Sequence, residues 1–90
     1  MRKVRMQVTG RVQGVGFRFM TKILADQLGI FGSATNEEDG SVMIEAMGEN
    51  AALSVFIEKV KASPAPYGRV DSFKIMDDPN IIVRQKFVTK

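Results

Sequence analysis

A run of glycines followed by an arginine is the part of the sequence most able to carry chemistry. Gly10, Gly14 and Gly16 lie close together, and Arg18 follows them. Glycine adopts backbone angles closed to other residues, so such a loop can turn several N–H groups toward one centre. Main-chain donors followed by the positive end of a helix bind an anion, and arginine can grip two phosphate oxygens at once. The run is therefore a candidate phosphate site.

The same run also has a purely structural interpretation. A glycine-rich turn can simply let a helix pack close to a sheet, and Arg18 can be a solvated surface residue. A cation in the first turn of a helix is disfavoured by roughly 0.3–1 kcal/mol against the helix dipole, and a bound anion would reverse this. Because neither glycines nor one arginine are specific, the pattern alone leaves both interpretations open.

Asn36 is the second candidate for a chemical role. Its neutral amide donates and accepts hydrogen bonds, so it can hold a water molecule in line with a phosphorus atom. Asparagine is also common in turns, and Glu37, Glu38 and Asp39-Gly40 follow it as a turn would. From the pattern alone, an ordinary turn residue is an equally good interpretation.

The composition excludes several kinds of chemistry. The chain has 90 residues with no Cys and no His, which excludes disulfides, cysteine-based phosphatase mechanisms and imidazole bases. A hydrophobic content of 44% suits one domain over residues 1–90. The net charge of +3 fits a phosphorylated metabolite about as well as nucleic acid. No apolar stretch reads as a signal peptide or membrane span, so we predict a cytoplasmic protein.

Two strand–helix–strand units are predicted to position these residues. Apolar residues alternate from Val4 to Gly10, as in a strand with one buried face. Met20, Ile23, Leu24 and Leu28 have helical spacing, and Gly29 is placed to end that helix. Four further strands are predicted, over Ile30–Asn36, over Val42–Ala46, around Phe73 and Ile75, and over Ile81–Val88. A second helix is predicted over Ala51–Lys61. Asn50 can cap its first turn, and Ser63-Pro64-Ala65-Pro66 ends it.

This order predicts an α+β, ferredoxin-like βαββαβ sandwich. We expect a four-stranded antiparallel sheet plus a short C-terminal strand, with both helices on one face. The first two strands run parallel with the third between them, so Gly10 and Asn36 emerge at the same edge, roughly 10 Å apart. The last strand could form a hairpin with the strand before it or present an edge to a partner.

The stretch from Gly10 to Arg18 closely resembles the acylphosphatase signature, in which a glycine-valine-glutamine-glycine loop leads into a phosphate-binding arginine. Other positions match the family's loop glycines, water-positioning asparagine, hairpin turn and helix-ending segment: Gly29, Gly32, Asn36, Asp39-Gly40 and Ser63-Pro64. The resemblance covers nearly the whole chain. It departs at Ser33-Ala34-Thr35, where many members carry an aromatic residue and then a basic or amide residue.

The resemblance implies an enzyme that hydrolyses the carboxyl–phosphate bond of acyl phosphates without a metal or organic cofactor. It implies that Arg18 binds the phosphate and that Asn36 orients the attacking water. The amides that it assigns to the cradle are those of Arg11, Val12, Gln13, Gly14, Val15, Gly16 and Phe17. We expect direct in-line attack without a phosphoenzyme, the proton of the water passing to a phosphate oxygen. The expected partners are an acyl phosphate and product phosphate, and the expected state is a monomer.

Two other functions suit the same fold class. A nucleic-acid-binding module would need aromatic residues on the open sheet face, whereas the outward positions predicted for two strands hold no aromatic residue. Those positions are Arg5, Gln7, Thr9, Met43, Glu45 and Met47. The second alternative is a regulatory ligand-binding domain, or an acylphosphatase-like module that keeps the cradle without turnover. An assay of acyl phosphate hydrolysis without added metal distinguishes either from an enzyme.

Overall fold

Strands and helices alternate along the chain in the predicted order. The computed structural model describes all residues, 1–90. Its elements are β1 (Arg2–Arg11), α1 (Phe17–Leu28), β2 (Phe31–Asn36), β3 (Val42–Gly48), α2 (Asn50–Lys61), β4 (Arg69–Asp77) and β5 (Phe87–Thr89). Both helices have 12 residues, and neither is long and apolar enough to cross a membrane.

The five strands form one sheet in the order β4-β1-β3-β2-β5. Strand β1 pairs antiparallel with β3 and β4, and β2 pairs antiparallel with β3. Strand β5 pairs with β2 in parallel. Val42 of β3 lies opposite both Val8 of β1 and Asn36 of β2. The ends of β1 and β2 therefore emerge at the same edge, as predicted, and the ferredoxin-like fold is confirmed.

The core lies between the sheet and the two helices. Val4, Met6 and Val8 alternate along β1 and are fully buried, because the two-residue period of a strand points them all to the helix face. Phe17 from α1 and Phe56 from α2 fill the space above them. Burying each of these rings is worth roughly 1.5–3 kcal/mol relative to exposure.

The buried face of α1 differs from the one that helical spacing predicted. Phe17, Thr21, Leu24 and Ala25 are buried, whereas Met20 is only half-buried. Thr21 can enter the core because its hydroxyl donates to the carbonyl oxygen of Phe17 at 2.8 Å. Satisfying that donor within the helix removes the penalty for burying it. The left-handed Gly29 ends α1 as predicted.

The predictions for the cap of α2 and for the extent of the last strand were wrong. The residue that caps α2 is Glu49, and no side-chain bond caps the helix, so Asn50 does not cap it. The last strand is shorter than predicted, Phe87–Thr89 rather than Ile81–Val88. Of the pairings left open for it, the hairpin with the strand before it does not form, because β5 pairs with β2 at the edge of the sheet opposite β4. The segment between β4 and β5 reaches across the sheet face opposite the helices, the outer face, where Ile81 and Met47 are buried.

Candidate active site

The loop between β1 and α1, residues 12–16, is anchored at both ends. Val12 and Phe17 are each 1% exposed and belong to the core cluster. Between them, Gly14 and Gly16 both have φ +76, a left-handed conformation that costs other residues roughly 1–2 kcal/mol. The apolar anchors thus hold a tight loop whose path requires its glycines.

The main-chain N–H groups of this loop have no acceptor within the chain. None of the amides of residues 12–16 donates to a main-chain or side-chain oxygen, and the first donor in α1 is Met20, which bonds to Gly16 at 3.0 Å. Consecutive free amides at the start of a helix attract an anion, because their partial charges add to the helix dipole. The arrangement suits a phosphate group.

Arg11, the first residue that the resemblance assigns to the cradle, lies in a strand and not in the loop. Arg11 is the last residue of β1 and lies opposite Arg69 of β4. It belongs to the strand ladder rather than to the free loop. The loop itself begins one residue later, at Val12.

Arg18 and Asn36 meet at one main-chain oxygen. The Arg18 guanidinium donates through Nη1 to the main-chain oxygen of Lys90, and the Asn36 main-chain N–H donates to that same oxygen at 3.3 Å. Lys90 in turn donates its own N–H to Ala34 at 2.8 Å. Lys90, which follows β5, therefore brings the arginine of α1 next to the end of β2.

The Asn36 side chain contains an unsatisfied polar atom. Its Oδ1 is buried and has no hydrogen-bond partner. Leaving a buried acceptor unpaired costs about 1–3 kcal/mol, so native structures rarely keep one without a reason. No hydrogen bond within the chain therefore engages this oxygen.

Gln13 uses its side chain in a way that the sequence did not predict. Its Nε2 donates to the carbonyl oxygens of Glu37 and Ser41, both at 2.9 Å. The sequence assigned Gln13 only a main-chain role in the cradle. No residue pattern signals this contact, because its acceptors are main-chain oxygens that any residue type would supply.

The hairpin after Asn36 is closed by Asp39, at the predicted Asp39-Gly40 turn. Oδ1 of Asp39 accepts bonds from the Ser41 N–H at 2.9 Å and the Ser41 hydroxyl at 2.6 Å. These bonds favour the ionised carboxylate and lower the pKa of Asp39 from 3.8. Glu37 is half-buried and Glu38 exposed. No cluster of three or more His, Cys, Asp or Glu side chains is arranged to hold a metal ion.

Comparisons with known proteins agree on one family. The acylphosphatase family model matches residues 4–89. An acylphosphatase of Enterococcus faecalis is 53% identical over 87 residues, which cover 97% of this chain and 96% of that protein. One of Latilactobacillus sakei is 62% identical over 68 residues, covering 76% and 74%.

A solved structure gives the same result. The crystal structure of acylphosphatase from Bacillus subtilis superposes with a TM-score of 0.93 at 34% identity, covering 100% of this chain and 99% of that one. An acylphosphatase structure from Coxiella burnetii, with a TM-score of 0.91 and 24% identity, supports the fold.

Proposed function

Because the chain belongs to the acylphosphatase family, we propose that Arg18, the free loop amides and Asn36 together carry out the family's reaction. The activity itself follows from the family: the protein is an acylphosphatase, which hydrolyses acyl phosphates to a carboxylate and inorganic phosphate. The proposal concerns which residues perform each step.

The observation that carries the proposal is the convergence of unpaired donors with Arg18 and Asn36. The amides of residues 12–16 have no internal acceptor, and Arg18 shares the Lys90 oxygen with Asn36. In the substrate complex the amides and the guanidinium bind the phosphoryl oxygens. Fixed donors of this kind stabilise the charge of the transition state, because they need no rearrangement when the reaction occurs.

Water is the nucleophile in this mechanism. The Asn36 side-chain amide, whose Oδ1 has no partner within the chain, hydrogen-bonds the water and aims its oxygen at phosphorus. The new P–O bond forms in line as the bond from phosphorus to the acyl oxygen breaks, and the carboxylate leaves with the bonding electrons. The proton of the water passes to a phosphoryl oxygen. No phosphoenzyme forms.

Hydrolysis of benzoyl phosphate in ¹⁸O-labelled water with a chelator present tests this mechanism. We expect turnover without added metal and one labelled oxygen in the phosphate product. Label in benzoate would mean attack at the carbonyl carbon. Phosphate attached to the protein after rapid quenching would mean a covalent intermediate, and either result would overturn the proposed mechanism.

The rival functions gain no support from the outer face. Arg5, a cation there, is paired with Glu45 at 3.0 Å and with Asp78 at 3.1 Å, so its charge is largely neutralised. Filter binding with single-stranded RNA tests the nucleic-acid alternative, and we expect no specific retention. The cytoplasmic location and the monomeric state stay predictions, which cell fractionation and size-exclusion chromatography test.

A further inference from the structure

The Gln13 side chain links the two parts of the site that come from distant stretches of the chain. Gln13 is half-buried, and its amide group donates one hydrogen bond to Glu37 and one to Ser41, 24 and 28 residues away. A side-chain amide has two N–H donors. Both are therefore used at 2.9 Å to hold the same short turn.

These acceptors lie where they control the position of Asn36. Glu37 follows Asn36 directly, and its N–H donates to Ser41 at 2.8 Å to close the turn. On the other side of the link, Val12 fixes the neighbouring main chain in the core. The Gln13 amide thus spans from an anchored phosphate loop to the residues that end β2.

We propose that Gln13 is a positioning residue, which sets the distance between the phosphate held by the loop and the water held by Asn36. This inference rests on the proposed function. A misplacement of about 1 Å can slow an enzyme about a hundredfold, because the reacting atoms then no longer align. Only a side chain with two donors satisfies both carbonyl oxygens, so neither methionine nor glutamate replaces the glutamine.

Gln13→Met tests the link, since methionine has a similar length and no donor. We expect kcat for benzoyl phosphate to fall about ten- to a hundredfold, while inhibition by inorganic phosphate changes less than about twofold. In an Asn36→Ala background the same substitution should cause no further fall, because the residue it positions is gone. A destabilised fold alone would not produce this split.

Gln7→Met is the matched control. Gln7 donates to the Ser41 hydroxyl at 3.3 Å from β1, so it contacts the same turn without touching the loop, and kcat should stay within about twofold of wild type. An unchanged kcat in Gln13→Met, an equal loss in the Asn36→Ala background, or an equal loss in Gln7→Met would each overturn the inference.

Gln13→Glu keeps the inference testable where Gln13→Met does not fold. Its ionised carboxylate faces two carbonyl oxygens, and its protonated form regains one donor. We expect the ratio of its kcat to that of wild type to rise as the pH falls; a constant ratio contradicts the inference. Failure of the proposed function itself looks different, because the wild type would then not hydrolyse benzoyl phosphate or Asn36→Ala would retain its full rate.

Discussion

The two halves of the chain repeat the same strand, helix and strand, yet their connections into the helix differ. Residues 12–16 join β1 to α1, whereas Glu49 alone joins β3 to α2. Because β1 and β3 are antiparallel, the two helices begin at opposite ends of the sheet. The fold therefore offers two helix N-termini in different surroundings.

The difference teaches that a helix dipole and a surface depression do not by themselves make a phosphate site. α2 begins beside an open depression of about 1340 Å³. Arg2, which lines it, is paired with Asp77 at 2.9 Å, and a single connecting residue cannot turn several amides toward one centre. The first half differs in the length and glycine content of its connection, and that loop adds free amides ahead of those that any helix N-terminus has.

Among these substitutions, loss of the Arg18 guanidinium from the first helix terminus is expected to lower kcat the most. Arg18→Ala should lower kcat for benzoyl phosphate by about a thousandfold or more, because no other cation replaces its charge on the transition state. Arg18→Lys should recover little, since lysine lacks the planar fork. Circular dichroism checks that the fold is kept.

Lys22→Ala is the control for Arg18. Lys22 lies one turn further along α1 and pairs with Asp26 at 2.9 Å. Its removal should leave kcat within about twofold, because exposed pairs of this kind contribute little. A normal rate in Arg18→Ala would mean that the first helix terminus holds no phosphate and would remove the contrast between the halves.

Asn36→Ala should have the next largest effect. We expect kcat to fall about a hundredfold, because the water loses its alignment with phosphorus. Binding of inorganic phosphate, measured by competitive inhibition, should be kept, since the loop and Arg18 supply it. Loss of phosphate binding in this variant would assign Asn36 to the phosphate rather than to the water.

Gly16→Ala tests whether loop conformation distinguishes the two halves. The added methyl group meets no atom within 4 Å, so its cost comes from the φ of +76 alone and should be roughly 1–2 kcal/mol. Phosphate binding should weaken by up to about tenfold. Gly29→Ala carries similar strain in open space at φ +70, and it should lower stability without weakening phosphate binding.

Asp39→Asn tests the hairpin that joins the halves. The pKa of Asp39 is lowered from 3.8 by bonds from Ser41, so the folded pKa lies below the unfolded one. The stabilisation is complete at a pH above the pKa of Asp39 in the unfolded chain, and it is lost as the pH falls through the pKa of Asp39 in the folded protein. Urea unfolding at several pH values should show a variant less stable than wild type near neutrality, with the difference narrowing below pH 3.8.

Asn50→Ala should have the smallest effect. Asn50 lies at the start of α2 and caps nothing, so kcat and phosphate inhibition should stay within about twofold and the free energy of unfolding within about 0.5 kcal/mol. Weaker phosphate inhibition here would show that the second helix terminus also binds the anion.

Local patterns predicted most of the fold because they reflect local causes. The alternation of Val4, Met6 and Val8 predicted a strand and its buried face, and Gly29 predicted the end of α1. The partner of the last strand was not predictable in this way. Phe87 packs against Phe56 with ring centroids 6.1 Å apart, and a strand pattern does not encode which distant surface will bury its aromatic residue.

The sequence by itself determined the elements of the candidate site: the glycines, the arginine and the asparagine, whose chemistry belongs to the residue types. The tertiary structure decided how they meet. It set the Lys90 oxygen between Arg18 and Asn36 and gave the Gln13 side chain its two acceptors. These contacts place side chains on main-chain oxygens far away in the chain. Main-chain oxygens occur in every residue, so only folding selects which of them a side chain meets.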